Sequence, residues 1–353
     1  MPLLQISPRR ICLIKPSALG DIVQTLPVLA MLRQRWPGAH IAWVVNRSLA
    51  GILAGHPQLD QVLEFDRGGR GHNRMASLGR LLGRLRAEKF DLTIDLQGLA
   101  RSGLFTWATR SKRRVGFSLA REGARLAYTD IVPLLWALPS WQRMIVMARA
   151  VGCTGEIPPA IVPIRPDDTA WAAEQLANLP RPWLAIHPGA QWETKRWLPQ
   201  HFAALALRAQ REMGSGIVLI GGPGERPLCD QIAAELPGPT VNLAERTPLL
   251  PLAAVCQAAD VLLSGDSGPM HLAAALGTAT ISVFTCTSPR ESGPRQANPP
   301  GDGERMLATT VDCAASYRAT CPTRHCMQEL LPARVWPALR GALVSAVEIG
   351  NHA

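Results

Sequence analysis

The sequence has no long apolar run. Among its 353 residues, no stretch approaches the ~20 consecutive apolar residues of a membrane-spanning helix, and the longest candidate, 131–138, is interrupted by Pro133. The apolar stretch 11–14 runs directly into Lys15-Pro16 and is too short for the core of a signal peptide. We therefore expect a cytoplasmic protein, with at most peripheral contact with a membrane surface.

Closely paired cysteines are also missing. Of eight cysteines, Cys313, Cys321 and Cys326 form one cluster, with gaps of seven and four residues that differ from the C-x-x-C pairs of common zinc modules. The other five stand singly, mostly in apolar segments, where a reduced cysteine behaves as a small hydrophobe. We interpret the cluster as a loop with buried thiols and expect neither a metal nor a disulfide there.

Aromatic residues are scarce, at 5% of the chain, whereas positive charge is concentrated. Residues 67–125 hold 14 Lys/Arg against 4 Asp/Glu, which accounts for the whole net charge of +10. Such a field favours an anionic partner: nucleic acid, acidic lipid headgroups, or a phosphorylated and carboxylated substrate. A solvated helix face would explain the positive charges within 74–89. It explains Arg101, Arg110 and 112–114 less well, because we expect those residues beside loops that follow strands.

The glycine fingerprint of dinucleotide-binding enzymes is absent. Where G-x-G-x-x-G would follow the first predicted strand, residues 15–21 contain a single glycine. Short apolar runs nevertheless alternate with helical patterns throughout, which predicts an α/β protein with parallel sheets. The predicted strands are 11–15, 41–45, 61–65, 90–95, 113–117, 183–187, 216–221, 240–243, 260–264 and 279–284.

A proline-rich stretch, Gly155–Asp168, divides the pattern in two. We predict two Rossmann-like domains, at 1–160 and 161–332, and a C-terminal helix at 333–353 that packs back toward the first domain. Two such domains would face each other across a cleft lined by the carboxyl ends of both sheets, where open α/β folds bind ligands.

The strongest motif is the segment Ser264–Ala275, in which a strand ends, a small-residue loop follows and a helix begins. Gly265 and Gly268 allow a ligand to approach the backbone, and the first N–H groups of such a helix bind phosphate. Asp266 is better suited to a sugar or ribose hydroxyl than to a phosphate. His271 is predicted one turn into the helix, either facing the loop or simply packed in the core.

Two further loops follow neighbouring strands. Residues 186–197 contain the adjacent cations Lys195 and Arg196. Lys195 is suited to a diphosphate leaving group, and Arg196 either assists it or pairs with Glu193. The loop 221–225 ends in Glu225, which could accept hydrogen bonds from ribose hydroxyls. Ligand-type loops at three strand ends are much less easily explained as three accidents than any one of them alone.

In the first half, Gly20-Asp21 opens a helix whose apolar stripe runs to Trp36. A helix N-terminus stabilises a carboxylate, so Asp21 is either a general base or an ordinary capping residue. Pro27 predicts a kink, or a helix that restarts there. The polar loop 95–102 is expected on the same side of the sheet.

These motifs together resemble glycosyltransferase family nine, the heptosyltransferases of lipopolysaccharide assembly. The resemblance spans about 10–345 and is carried by segments at 20–21, 95–98, 114–117, 187–189, 195–199, 221–225 and 266–275. It implies a GT-B fold and inverting transfer of a heptose from ADP-heptose to the anionic inner core of lipopolysaccharide, at a Kdo or heptose acceptor. The phosphate loop departs from the family, because this chain has Gly189 and Ala190 at positions where family members often have hydroxyl side chains.

The resemblance also implies roles for individual residues. The catalytic base corresponds to Asp21, and the lysine that neutralises the leaving diphosphate to Lys195. Donor contacts are implied for His187, Gly189, Ala190, Lys195, Arg196, Glu225, Leu243, Asp266, Ser267, Gly268 and His271. Acceptor contacts are expected from Ser17, Gly20, Gln97, Gly98, Arg101, Arg113 and Arg114.

Neither a metal nor another cofactor is expected. The sequence contains no Asp-x-Asp triplet, the manganese motif of the other major transferase architecture. One alternative is a GT-B glycosyltransferase or epimerase that uses a different nucleotide sugar. The alternative from another class is a nucleic-acid-binding protein, but no aromatic stripe interleaves the arginines as base stacking would require, so we expect no nucleic acid partner.

Overall fold

The computed structural model describes residues 5–66, 72–134, 138–295 and 305–350. The chain forms two compact units, Met1–Pro163 and Ile164–Ala353, and the division falls inside the proline-rich stretch. Within the described ranges, none of the helices combines the length and apolarity needed to cross a bilayer.

The first unit contains a six-stranded parallel sheet. Its strands are β1 (Arg10–Ile14), β2 (His40–Asn46), β3 (Gln61–Phe65), β4 (Leu92–Asp95), β5 (Arg113–Phe117) and β6 (Asp130–Val132). The helices are α1 (Leu19–Arg35), α2 (Arg47–Ala50), α3 (His72–Ala87), α4 (Ala100–Ala108) and α5 (Ser140–Ala150). The spatial order β3-β2-β1-β4-β5-β6 reverses direction between β1 and β4.

The second unit repeats this topology, with the order β9-β8-β7-β10-β11-β12. Its strands are β7 (Trp183–His187), β8 (Gly216–Leu219), β9 (Thr240–Asn242), β10 (Val261–Gly265), β11 (Ala279–Phe284) and β12 (Met306–Ala308). The helices are α6 (Pro166–Leu176), α7 (Pro199–Met213), α8 (Arg226–Ala233), α9 (Leu249–Ala258), α10 (Gly268–Ala275), α11 (Pro289–Ser292), α12 (His325–Glu329) and α13 (Pro332–Gly350). Both units are therefore doubly wound α/β folds, as predicted.

The helix does not restart at Pro27, since α1 runs through the proline as one element of 17 residues; a kink at Pro27 stays a prediction. A proline inside a helix costs about 3 kcal/mol. Every residue from Ile22 to Leu32 is buried, and each fully buried Val, Leu or Ile contributes about 1.5–3 kcal/mol. Burial of α1, which packs against α5, therefore outweighs the lost hydrogen bond.

The C-terminal helix packs within the second unit. Val335, Leu339 and Leu343 of α13 are fully buried in the core of that unit, together with Trp336. Its contacts are with α7 and with strands β10 and β11. The expectation that this helix packs back toward the first domain stays a prediction.

Candidate active site

The first cluster of polar side chains lies where β1 and β4 end, at the reversal of strand order in the first sheet. Doubly wound sheets bind ligands at this point, and a pocket opens here. It is lined by four charged residues, Lys15, Asp21, Arg121 and Arg143, together with Leu96, Gln97, Gly98, Phe117, Leu119, Ala120, Leu134, Ser140 and Met144. Three cations against one carboxylate make the pocket attractive to an anionic ligand.

The carboxylate of Asp21 is held from two sides in the first turn of α1. Its Oδ2 accepts a hydrogen bond from the backbone N–H of Ala18 at 3.0 Å and lies 3.5 Å from Lys15 Nζ. Lys15 is almost completely buried, and its ammonium also donates to the Leu96 carbonyl at 3.3 Å. Because 36% of the Asp21 side chain is exposed, the carboxylate is oriented yet open to the pocket.

The loop after β4 is fixed by the fully buried Asp95. This carboxylate accepts hydrogen bonds from the N–H groups of Gln97 and Gly98, at 2.9 and 3.1 Å, and from the Tyr128 hydroxyl at 2.7 Å. Burial raises the pKa of Asp95, although these hydrogen bonds oppose the shift. Gly98 has φ +69°, and a Cβ there would lie 3.2 Å from Ala120. The structure therefore places Gln97 and Gly98 firmly in the pocket wall.

Ser17 and Gly20 lie near the pocket without lining it. Gly20 is buried in the first turn of α1 and Ser17 is half-buried in the preceding loop. Their neighbours Lys15 and Asp21 form the wall instead.

Arg101, Arg113 and Arg114 do not line this pocket. Arg113 and Arg114 open β5, so they lie at the amino end of the strand rather than beside a loop that follows one. The guanidinium of Arg113 pairs with Asp130, and Arg114 donates to two backbone carbonyls. Arg101 lies over the Phe65 ring, 5.3 Å from its centroid. Acceptor contacts of these three arginines stay a prediction.

Of the three cations that line the pocket, two could have been predicted from the sequence and one could not. Lys15 directly follows β1 and Arg121 lies in the loop after β5, so strand-end position could have identified both. The Arg121 N–H donates to the Gly98 carbonyl at 2.8 Å, which ties the two loops together. Arg143 belongs to α5, which reaches the site only because it packs against α1.

The second cluster lies in the C-terminal unit, where the neighbouring strands β10, β7 and β8 end. Lys195 Nζ donates to Asp266 Oδ2 at 2.7 Å, and the Thr287 hydroxyl donates to the same oxygen at 2.7 Å. The Asp266 side chain is only 6% exposed, and the Lys195 ammonium lies 5.0 Å from the centre of the Trp192 ring. The ammonium is thus fixed at the strand ends by a buried carboxylate.

His187 connects the other two loops of this cluster. Its Nε2 lies 3.1 Å from Glu225 Oε2, and its Nδ1 lies 3.0 Å from Ser267 Oγ. A carboxylate can only accept, so we assign the ring proton to Nε2 and the Ser267 hydroxyl as donor to Nδ1. Burial alone would raise the pKa of Glu225, but His187, the Gly222 N–H and Arg196 together lower it. Glu225 is therefore held as an acceptor.

Gly189 allows Glu225 to take this position. A Cβ at residue 189 would lie 1.9 Å from Glu225 Oε1, far inside the contact distance of a carbon and an oxygen atom. The carboxylate thus lies directly against the glycine backbone, and a side chain at 189 would displace it. Next to it, Ala190 is buried and its carbonyl accepts a hydrogen bond from Arg196 Nε at 2.8 Å.

The remaining predicted donor residues differ in how they are placed. Gly268 begins α10 and His271 is buried in its first turns, both beside the second cluster. Leu243 follows β9 but is fully buried, so its side chain offers no surface to a nucleotide base. The alternative pairing of Arg196 with Glu193 is not observed, because Glu193 pairs with Arg324.

The prediction of buried thiols is wrong for two of the three clustered cysteines. Cys313 is exposed and Cys321 is partly exposed, whereas Cys326 is buried. A loop that returns to the core only at α12 leaves the preceding thiols at the surface. Among the residues that the structure describes, none of the cysteines forms a disulfide.

Glu64 and Asp66 are two acidic residues at the i and i+2 spacing, and both pair with the same arginine. Glu64 and Asp66 both accept hydrogen bonds from Arg47 at 3.1 Å. In the described part of the chain, no three His, Cys, Asp or Glu side chains converge on a point that would suit a metal ion.

Comparisons with known proteins agree on one family. The profile of glycosyltransferase family 9 (heptosyltransferase) matches residues 78–326. Lipopolysaccharide heptosyltransferase 1 of Pseudomonas aeruginosa is 30% identical over 366 aligned positions, covering 95% of this chain and 98% of the relative.

Solved structures confirm the fold. ADP-heptose lps heptosyltransferase II of E. coli matches with a TM-score of 0.75 at 21% identity, covering 95% of this chain and 99% of that one. E. coli heptosyltransferase WaaC with ADP-2-deoxy-2-fluoro heptose matches with a TM-score of 0.69 at 23% identity, covering 94% and 99%. With a profile match over more than half its length, this chain belongs to glycosyltransferase family 9, the heptosyltransferases, and is a glycosyltransferase.

Proposed function

We propose that this enzyme transfers a heptose from ADP-heptose to the inner core of lipopolysaccharide, at a Kdo or heptose acceptor, with inversion and without a metal or other cofactor. The reaction takes place at the cytoplasmic face of the inner membrane. The names of the matched relatives support the donor and acceptor classes. The observation that carries the proposal is the pocket in which Asp21 lies among Lys15, Arg121 and Arg143.

The chemistry follows from the two clusters. The Asp21 carboxylate takes the proton from an acceptor hydroxyl, whose oxygen forms a bond to the anomeric carbon of the heptose. The bond from that carbon to the diphosphate oxygen breaks, and ADP leaves from the opposite face, so the configuration inverts. Lys195 neutralises the charge that develops on the leaving diphosphate, supported by N–H groups at the start of α10.

On the donor side, Glu225 is placed to accept hydrogen bonds from ribose hydroxyls. Asp266 has Lys195 and Thr287 on one oxygen, Oδ2. This arrangement leaves the carboxylate suited to a sugar hydroxyl rather than to a phosphate. The anionic acceptor is recognised by the cations of the first pocket, and no nucleic acid takes part.

Transfer should not require a metal. We expect heptose transfer from ADP-heptose to a lipid-free inner-core oligosaccharide to continue in excess EDTA, because protein groups stabilise the leaving group. Product formation measured by mass spectrometry checks this, with a metal-dependent glycosyltransferase as the control for chelation. Complete loss of transfer that Mn²⁺ or Mg²⁺ restores would contradict it.

Arg121 should contribute to acceptor binding. Replacing it with alanine should raise the acceptor KM about tenfold or more, the scale of a charge-assisted hydrogen bond, and leave the donor KM nearly unchanged. The backbone N–H that bonds to Gly98 remains in this variant. Arg86→Ala, which removes an exposed arginine of α3, is the matched control and should leave both constants unchanged. Equal acceptor KM values for the two variants would remove Arg121 from this role.

A further inference from the structure

Three large apolar side chains are exposed on one part of the N-terminal unit. Leu104 and Trp107 of α4 are 37% and 55% exposed, and Leu126 is 92% exposed. Leu126 belongs to the 3₁₀ turn Ala124–Ala127. A leucine that keeps almost its whole surface in water contributes nothing to the core, so burial within its own unit does not explain it.

Helix α4 and the 3₁₀ turn form one continuous surface. A Cβ at Gly103 would lie 2.8 Å from Ala124 Cα, so the two backbones are in direct contact there. Leu104 and Trp107 are spaced i and i+3 and are therefore neighbours on the helix. We call the surface formed by α4 and the turn 124–127 the α4 face.

Positive charge borders the α4 face. Arg110 and Lys112 follow the end of α4, Arg125 precedes Leu126, and all three are exposed. The exposed acid nearby, Glu122, accepts a hydrogen bond from the Ala100 N–H at 3.1 Å. The border is thus cationic, in keeping with the excess of Lys/Arg in residues 67–125.

This composition fits an anionic lipid surface. Exposed apolar side chains insert at the boundary between headgroups and acyl chains, tryptophan is favoured at that depth, and neighbouring Lys and Arg bind anionic headgroups. Nucleic acid would use the cations but not Leu126. A second copy of the chain would use the apolar side chains, but it would bring a second set of cations against the first.

The α4 face also adjoins the pocket that contains Asp21. Leu119, Ala120 and Arg121 line that pocket and lead directly into the turn that carries Leu126. Gly98, in the same wall, lies two residues before α4. We propose that the α4 face docks the N-terminal unit on an anionic bilayer, which brings the pocket to the surface that carries the acceptor. This proposal rests on the proposed function, because the acceptor must be lipid-anchored for docking to assist transfer.

The test is sedimentation of the full chain with vesicles of phosphatidylglycerol and phosphatidylethanolamine. We expect the wild-type protein to bind them, and to bind phosphatidylcholine vesicles more weakly. Leu126→Asp should weaken binding at least about tenfold, because a leucine no longer enters the bilayer. The matched control is Leu331→Asp, a leucine of the second unit that is 53% exposed, and it should bind as the wild type does. Binding should also fall with salt as the charges are screened.

The outcomes distinguish failure of membrane docking through the α4 face from failure of the proposed function. Wild-type protein that ignores the anionic vesicles, or Leu126→Asp protein that binds them normally, would overturn docking through the α4 face. So would a change in oligomeric state of Leu126→Asp without lipid, measured by light scattering, because the face would then bind a second copy. Transfer to the lipid-free oligosaccharide should be equal in wild type and Leu126→Asp. If neither transfers heptose, the proposed function fails, whatever the vesicles show.

Discussion

Asp21→Asn should lower kcat by at least about a hundredfold, at the low end of what a general base contributes. Asparagine keeps the size of the side chain, and its oxygen can still accept the Ala18 N–H, but it cannot take a proton. ADP-heptose affinity should hardly change, because Asp21 belongs to the first unit and the donor cluster to the second. Turnover, donor affinity and melting temperature measured on one preparation check these expectations.

Asp21→Ala separates catalysis from helix capping. Both variants lose the ion pair with Lys15, but only alanine also loses the capping hydrogen bond, which is worth about 0.5–2 kcal/mol. A general base predicts a similar loss of kcat in both variants, with a lower melting temperature in the alanine variant than in the asparagine variant. A purely structural cap predicts an asparagine variant that turns over at nearly the wild-type rate. That result would place the base elsewhere.

Lys195→Ala should lower kcat by about 10²–10³, as the loss of one group that stabilises transition-state charge does. ADP binding should weaken by about 1–3 kcal/mol, because a charge-assisted contact is lost. The kinetic effect exceeds the binding effect only if the ammonium acts on charge that develops as the diphosphate leaves. Calorimetry with ADP and single-turnover kinetics provide the two numbers.

Arg196→Ala is the natural control for Lys195. It removes the adjacent cation, whose Nε donates to the Ala190 carbonyl, and we expect a smaller effect on kcat than for Lys195. Lys195→Arg should recover part of the lost activity because it keeps the charge. An ADP affinity unchanged in Lys195→Ala would exclude contact between Lys195 and the diphosphate.

The sheet strands divide into those with and without a sequence signal. The ten predicted strands are observed, and most of them are apolar runs ended by a loop, the pattern of strands buried on both faces. β6 and β12, of three residues each, were not predicted. They lie at the edges of their sheets, where one side has no neighbouring strand and little hydrophobic patterning is needed.

The side chains of the two clusters also divide into those that the sequence could predict and those that it could not. Lys195, Glu225 and Asp266 could be predicted because loops at the carboxyl ends of adjacent parallel strands must converge. Arg143 could not, since its place in the pocket depends on how α5 packs against α1. Arg113 and Arg114 were expected beside a loop that follows a strand, but they open β5. A cation beside a strand is near the ligand edge of the sheet only if it follows the strand.

Both units are contiguous in sequence, 1–163 and 164–353. Every hydrogen bond and ion pair described for the pocket of Asp21 is made within the first unit, and every one described for the cluster of Lys195 within the second. Recombination at a single junction near residue 163 would therefore exchange either set of ligand groups as an intact block. A chimera with the second unit of a relative would take over that relative's cluster without any change in the pocket of Asp21. With the roles proposed above, donor and acceptor preference would then be able to evolve as separately inherited modules.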